Sequence, residues 1–499
     1  MTNTFIKALE DMYNYKLTEN GARALKSTGS KVYDLFAFGA AYRTRSNADC
    51  VLLFKNAYEE DKNLAMKALF YIRDCRGGQG ERRFFRVCLN WLAATHPESV
   101  IKNLGQVSNM GRWDDLFCLF DTPVEANMLL HIKNQLMMDM EDAMGNKAIS
   151  LLAKWMPSEN ASSRITKSRA SRIRQYLHMQ PRSYRQMLSK LRAHLNVLER
   201  LMSANRWDEI EFDKIPSKAG LIYRNAFARR DMIAAKYEKF AKDKNTTVNA
   251  DTLYPYEIVE KVSKRLGRMN WYSDINFRGD DTERAMLNKY WENQKDYLNG
   301  ADMSMMCVVD TSGSMYGRPL DVACSLGLYC AERMTGPFAN RYISFSRHPK
   351  LIKTEGVDFV DKVARIYRAN LCENTDLPKV FNLLLNLVLT GAAKKEDLPK
   401  TLVVISDMEI DHMSNWRTST AVTEMDKIRE EWRTFGLELP KLVYWNVDAR
   451  NNTILDRGPG VSFVSGCSPV IFEQVLTGKT GIELMFDVLM KERYKYIMA

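Results

Sequence analysis

Apolar positions in the first 300 residues recur at helical spacing. Leu64, Ala68, Tyr71 and Ile72 form one stripe. After a break at Gly77, Gly78 and Gly80, Phe84, Phe85, Cys88, Leu89 and Leu92 form another, on a helix starting near Glu81. Pro97 opens a short helix through Leu104 and Val107, and Trp113 to Phe120 predicts one more. Tyr184, Met187, Leu188, Leu191, Leu195, Leu198 and Met202 follow one i, i+3, i+4, i+7 stripe, which Pro181 separates from the helix before it. Helical patterns return at 256–266 and 281–298, and Asn299-Gly300 ends them. Short helices joined by glycine-containing turns predict an α-solenoid.

The pattern then changes. Apolar runs at Met305–Val309, Arg341–Phe345, Thr401–Ser406, Lys441–Trp445 and Val461–Val464 predict strands. Helices are expected between them at 319–334, 357–366, 378–389 and 423–435, and after them near 469–476 and 481–492. Such alternation predicts a mostly parallel sheet covered on both faces. The expected architecture is therefore multidomain, α and α/β: a helical-repeat domain over 1–300 and a doubly wound domain over 301–499.

Charge sharpens this division. The chain carries 72 Lys and Arg against 61 Asp and Glu. Residues 301–499 hold 24 basic and 25 acidic residues, leaving 48 and 36 in the first 300, so the whole excess lies in the helical part. A polyanionic partner is the expectation. The segment 164–206 concentrates the excess, with eleven Lys or Arg and one acid, Glu199. The nine cysteines form no CxxC pair, no signal-peptide pattern opens the chain, and no apolar run is long enough to span a bilayer. A reduced, cytoplasmic, monomeric protein is expected, without zinc.

The candidate chemistry lies at strand ends. Asp310-Thr-Ser-Gly-Ser314 follows the first strand, Asp407 follows the Val403-Val404-Ile405 strand, and Thr375 lies in the loop before the helix at Pro378. In a doubly wound sheet these positions converge on one rim. Hydroxyl and carboxylate oxygens suit a hard cation, magnesium or manganese. At these residues the sequence resembles the von Willebrand A family and its metal-ion-dependent adhesion site. The resemblance implies that Ser312, Ser314 and Thr375 offer hydroxyls to the metal. It implies that Asp310 and Asp407 act through water or as acceptors behind the ligands, and that one position stays open for a partner's acidic group.

The Arg73-Asp-Cys-Arg-Gly-Gly-Gln-Gly-Glu-Arg82 run, Gly111-Arg-Trp-Asp-Asp-Leu116 and Leu151-Leu-Ala-Lys-Trp-Met-Pro157 resemble the TROVE module of Ro ribonucleoproteins. Nearly the whole chain is similar to the family called domain of unknown function 2828. The Ro resemblance implies helical repeats closed into a ring that binds structured RNA outside and single-stranded ends within. Carried over regionally, the RNA contacts are Lys167, Arg169, Arg172, Arg174, Arg182, Arg185, Lys190 and Arg192, with Tyr176 and Tyr184 as stacking platforms.

Plainer roles fit other motifs. Gly77-Gly78-x-Gly80 lacks Gly-Lys-Ser/Thr and follows a helix, so it predicts a tight turn, with Arg73, Asp74, Arg76, Glu81 and Arg82 as its ion pairs. Trp113 and Trp207, in a repeated Arg-Trp-Asp, predict core anchors. No catalytic triad or Gly-x-Ser-x-Gly motif is present. The expected function is non-enzymatic RNA binding. The alternative is a metal-dependent protein-interaction scaffold that captures a partner carboxylate.

Overall fold

The computed structural model describes residues 14–266, 276–300, 304–345, 349–369, 377–410, 424–456 and 458–499. After a hairpin of β1 (Tyr15–Leu17) and β2 (Arg23–Leu25), the elements among the described residues are helices as far as Glu292. The first layer comprises α1 (Lys31–Phe38), α2 (Asn47–Glu60), α3 (Lys62–Arg73), α4 (Arg82–Thr95) and α5 (Pro97–Met110). Local sequence fixes their ends. Ser46 and Asp49 cap α2 reciprocally, Asp61 and Glu81 cap α3 and α4, and Pro97 occupies the first turn of α5. Phe84, Phe85, Cys88, Leu89 and Leu92 are all buried, as their spacing predicts.

The glycine run between α3 and α4 is a turn. The amides of Gln79 and Glu81 donate to Tyr71 O and Ile72 O at 3.1 and 2.8 Å, and a Cβ on Gly78 would stand 2.1 Å from Tyr71 O. Only glycine allows that approach. Trp113 begins a 3-10 turn (Trp113–Leu119) and is buried, like Trp207.

Next come α6 (Glu125–Met144), α7 (Leu152–Trp155), α8 (Arg164–Tyr176), α9 (Pro181–His194) and α10 (Leu198–Ser203). The apolar stripe from Tyr184 to Met202 is not one helix. It breaks at Asn196, whose φ is 46°, into α9 and α10. Asparagine tolerates that left-handed backbone, so the residue ends the helix despite the periodicity around it. The array finishes with α11 (Ser217–Arg229), α12 (Asp231–Lys242), α13 (Pro255–Ser263) and α14 (Asp281–Glu292).

Among the described residues the C-terminal part holds six strands: β3 (Met305–Asp310), β4 (Arg341–Phe345), β5 (Lys350–Lys353), β6 (Thr401–Ser406), β7 (Lys441–Asn446) and β8 (Val461–Ser465). Their order is β5-β4-β3-β6-β7-β8, parallel throughout except for the edge strand β5. Every residue of β3 and β6 is buried, so both faces of the sheet are covered, as continuous apolar runs require. The helices are α15 (Arg318–Arg333), α16 (Phe359–Ala369), α17 (Leu377–Leu389), α18 (Glu424–Thr434), α19 (Val470–Val475) and α20 (Gly481–Leu489).

Both ends of the helical array rest on this domain. At the first, α1 packs on β8, where Phe463 N donates to Tyr33 Oη at 2.9 Å, and Tyr71 Oη donates to Gln474 Oε1 at 3.1 Å. At the last, Trp291 stacks on Phe359 with centroids 4.3 Å apart, and Arg284 forks onto Asp358 at 2.7 and 2.8 Å. The helical path therefore closes through the α/β domain. The β1–β2 hairpin is carried along, bridging Leu25 to Ile454.

Candidate functional site

Strand order reverses between β3 and β6, and ligands of open α/β sheets collect at such a switch point. Asp310 ends β3 and Asp407 follows β6, and both side chains are fully buried. Asp310 Oδ1 accepts from Ser312 N at 2.9 Å, and its Oδ2 accepts from Ser406 Oγ at 2.6 Å. Ser312 Oγ and Ser314 Oγ are 3.0 Å apart. Burial, then the nearby Asp407 charge, pushes the Asp310 carboxyl up to about 7. Met408, beside Asp407, has φ 68°, a conformation costly for a side chain and typical of functional rims.

Four of the five expected rim residues are brought together. The fifth, Thr375, lies outside the described residues. Among the described residues no group of three or more His, Cys, Asp or Glu side chains is placed to hold a metal. The rim set is mixed instead, two carboxylates with hydroxyls. Buried, mutually repelling carboxylates beside paired hydroxyls have the chemistry a hard dication answers, so the residues present fit one.

Two further members of the rim carry no motif in the sequence. Arg450 pairs with Asp407 and stands 3.4 Å from Glu19 of the hairpin. Behind them buried Glu409 accepts from Thr453 Oγ1 at 2.9 Å and from Glu19 N at 2.7 Å. Arg450 lies 43 positions from Asp407, and only its place just beyond β7 hints at the rim.

The basic helices are arranged less simply than their charge implies. Arg172 pairs with Asp121 and Glu125. Arg174 donates to Glu159 Oε1 and Met179 O. Arg192 caps the carbonyls of Ala153 and Met156. These three fasten α8 and α9 to their neighbours, so part of their charge is already answered within the chain. Arg169 lies half-buried over the Phe120 ring. Lys167, Arg182, Arg185 and Lys190 remain exposed. Tyr184 is fully buried, its hydroxyl donating to Pro157 O at 2.9 Å, and Tyr176 packs against the core. Tyr184 is therefore a core residue and not a stacking platform, because its ring sits on the apolar side of the stripe.

A second basic surface, invisible in the sequence because its residues are far apart, is a trough of about 810 Å³. The start, middle and end of the array and the α/β domain all line it, among them Arg76, Arg82, Arg83, Arg112, Lys218 and Arg318, with Trp155, Tyr254 and Tyr256. Glu81 is its one carboxylate among the described residues and is already paired with Arg43. Arg76, Arg82, Arg83 and Arg318 make no ion pair among the described residues. Burial and the neighbouring Arg112 and Arg86 lower the Arg82 pKa, the mark of crowded cations. The ion-paired turn expected at 73–82 is thus present for Arg73, Asp74 and Glu81, which meet Asp115, Arg493 and Arg43, but not for Arg76 and Arg82.

A helical array joined to an α/β domain with a polar switch-point rim defines the class. Residues 18–125 and 159–300 match the family model described as "Domain of unknown function (DUF2828)", and residues 304–493 match "Domain of unknown function (DUF7788)". The "Uncharacterized protein L728" of Acanthamoeba polyphaga mimivirus is 30% identical over 510 residues, covering 94% of this chain and 86% of that protein. The chain belongs to the DUF2828 family. Among solved structures, the crystal structure of Deinococcus radiodurans RO (RSR) protein covers 91% of this chain and 100% of its own, with TM-score 0.40 and 11% identity. Among the described residues, no helix is long and apolar enough to cross a membrane.

Proposed function

We propose that the protein is a non-enzymatic, Ro-like RNA-binding protein whose HEAT-like helical repeats hold structured or aberrant RNA. The observation that carries this is the trough, where Arg76, Arg82, Arg83 and Arg318, without carboxylate partners among the described residues, lie among aromatic rings. Cations crowded without counter-charges attract a polyanion, and interleaved rings receive unpaired bases. Exposed Lys167, Arg182, Arg185 and Lys190 supply a second, outer contact for the backbone of a structured RNA. The test is binding of labelled RNA and matched DNA, each with and without a single-stranded 3′ end, across a salt series. Preference for RNA with a steep salt dependence supports the reading, and binding no better than to non-specific duplex overturns it.

The rim favours a second activity of the same molecule. In this reading the C-terminal domain is of the von Willebrand A type. Asp310, Ser312, Ser314 and Asp407, together with Thr375, would hold Mg²⁺ or Mn²⁺. The bound ion would supply a Lewis-acidic position for a carboxylate of a protein partner. Arg450 already neutralises part of this charge, so a dication must share Asp407 with it. Calorimetric titration with Mg²⁺ and Mn²⁺ of the protein and of Asp310→Asn tests the site. Heat of binding that survives the substitution overturns it.

A further inference from the structure

We infer that a second cleft, opening from the trough, reads the identity of one unpaired nucleobase, accepting a base that carries an amino group, guanine best, and rejecting uracil. The inference rests on the RNA-binding reading above. The cleft is about 910 Å³, within the range of ligand pockets, and shares Arg112, Leu151, Trp155, Lys218 and Thr252 with the trough. A strand lying in one therefore passes the mouth of the other.

Its walls suit a flat ring. The Arg112 guanidinium lies 4.0 Å from the centre of the Trp155 ring, and Tyr223 lines the cleft farther along. Leu151 and Ile222, 52% and 65% exposed, present apolar surface on otherwise basic ground. Aromatic and guanidinium planes of this kind stack bases.

Its polar groups supply the selectivity. Glu159 Oε1 accepts from Arg174 Nε at 2.7 Å, but its Oε2 is buried without a hydrogen-bond donor, with Arg185 Nη1 standing 3.7 Å away. The Glu199 side chain is 42% exposed and hydrogen-bonds the Tyr223 hydroxyl, but its Oε2 is shielded without a donor, with Lys154 Nζ at 3.8 Å. Both carboxylates line the cleft. Buried polar atoms are seldom left unsatisfied, and two acceptors in one cleft call for donors from a ligand. The cations lining the cleft exclude a simple amine and favour an anion bearing N–H donors, which a nucleotide is. Guanine offers adjacent N1–H and N2–H donors to one carboxylate, and cytosine and adenine offer one amino group. Uracil sets two carbonyl oxygens beside its single N–H, and these oppose a carboxylate.

The experiment uses the full chain and a labelled twelve-residue oligouridylate, with the central uridine kept or replaced by guanosine, cytidine or adenosine. Fluorescence anisotropy should show the guanosine oligomer bound about tenfold tighter than oligouridylate, the scale of one good bidentate base contact. Glu159→Gln and Glu199→Gln should each cut that preference severalfold, in part by raising oligouridylate affinity, because an amide no longer opposes the uracil carbonyls. Glu199 stands apart from the Glu159–Arg174 pair, so its variant keeps the test valid if Glu159→Gln folds poorly. Arg82→Ala should weaken all four oligomers equally. If oligouridylate binds and the other three bind within twofold of it, or if the preference survives both glutamine variants, the inference fails and the RNA-binding reading stands. If no oligomer binds, both fail. Free guanosine monophosphate competing as well as the oligomer would show a mononucleotide site and overturn the strand-reading role.

Discussion

Arg493 Nη2 donates to Asp74 Oδ1 at 2.7 Å, joining the last 3-10 turn of the α/β domain (Glu492–Tyr494) to the glycine turn after α3. Asp74 is fully buried, and its other oxygen accepts from Tyr494 Oη at 3.0 Å. Arg493→Ala leaves that carboxylate without its cation. A loss of about 2 kcal/mol is expected, less than for a fully buried pair because the Arg493 side chain is 35% exposed, and urea denaturation measures it.

The inner and outer cations make separable contributions to RNA affinity. Arg76→Glu and Arg82→Glu should each weaken binding. Each should also flatten the slope of log affinity against log salt by about 0.7 for every phosphate that is no longer neutralised. Lys167→Glu, Arg182→Glu and Lys190→Glu should weaken structured RNA more than a short single strand. The reverse ranking in a filter-binding salt series would move the single-strand site from the trough to the outer face.

Asp310 gives the pH dependence. Its carboxyl sits at about 7 in the folded chain against 3.8 in the unfolded one, so the folded state holds an extra proton between these values. Stability from this group therefore declines as pH rises from about 4 through about 7. Asp310→Asn should remove the decline and raise the melting temperature in EDTA at about pH 8. Mg²⁺ should raise the melting temperature of the unaltered protein more at about pH 8 than at about pH 6, and leave Asp310→Asn unmoved. Thermal melts with and without Mg²⁺ decide this.

Tyr184→Phe separates a core role from a stacking one. It should cost about 1 kcal/mol, the worth of one buried hydrogen bond to Pro157 O, and leave RNA affinity within twofold. A tenfold loss of affinity at unchanged stability would restore Tyr184 as a base contact.

How much the sequence reveals follows how locally each feature is determined. The strands Met305–Asp310 and Thr401–Ser406 are legible because a strand covered on both faces needs an unbroken apolar run. Asp310 and Asp407 are legible because they sit where those runs stop. Lys350–Lys353 escapes the pattern, since this short edge strand is largely exposed and its two apolar residues, Leu351 and Ile352, are too few to show a period. The split at Asn196 is hidden because the stripe continues across it. Arg450 and Glu19 join the rim only through tertiary contact, and Arg172, Arg174 and Arg192 find acids that lie well outside their own helix or carbonyls that carry no charge at all. Net charge counts cations but does not show which are already answered.

The seating of both ends of the helical array on one domain changes how the molecule comes apart. An open stack of helices frays from its last unit, because that unit has a neighbour on one side only. Here α1 is held by β8, and α14 by α16. If one seam opens, the other keeps the parted surfaces tethered at short range, and their high effective concentration returns them to contact. Helices and sheet then share a single stability, and a substitution at either seam is felt at the opposite side of the circuit.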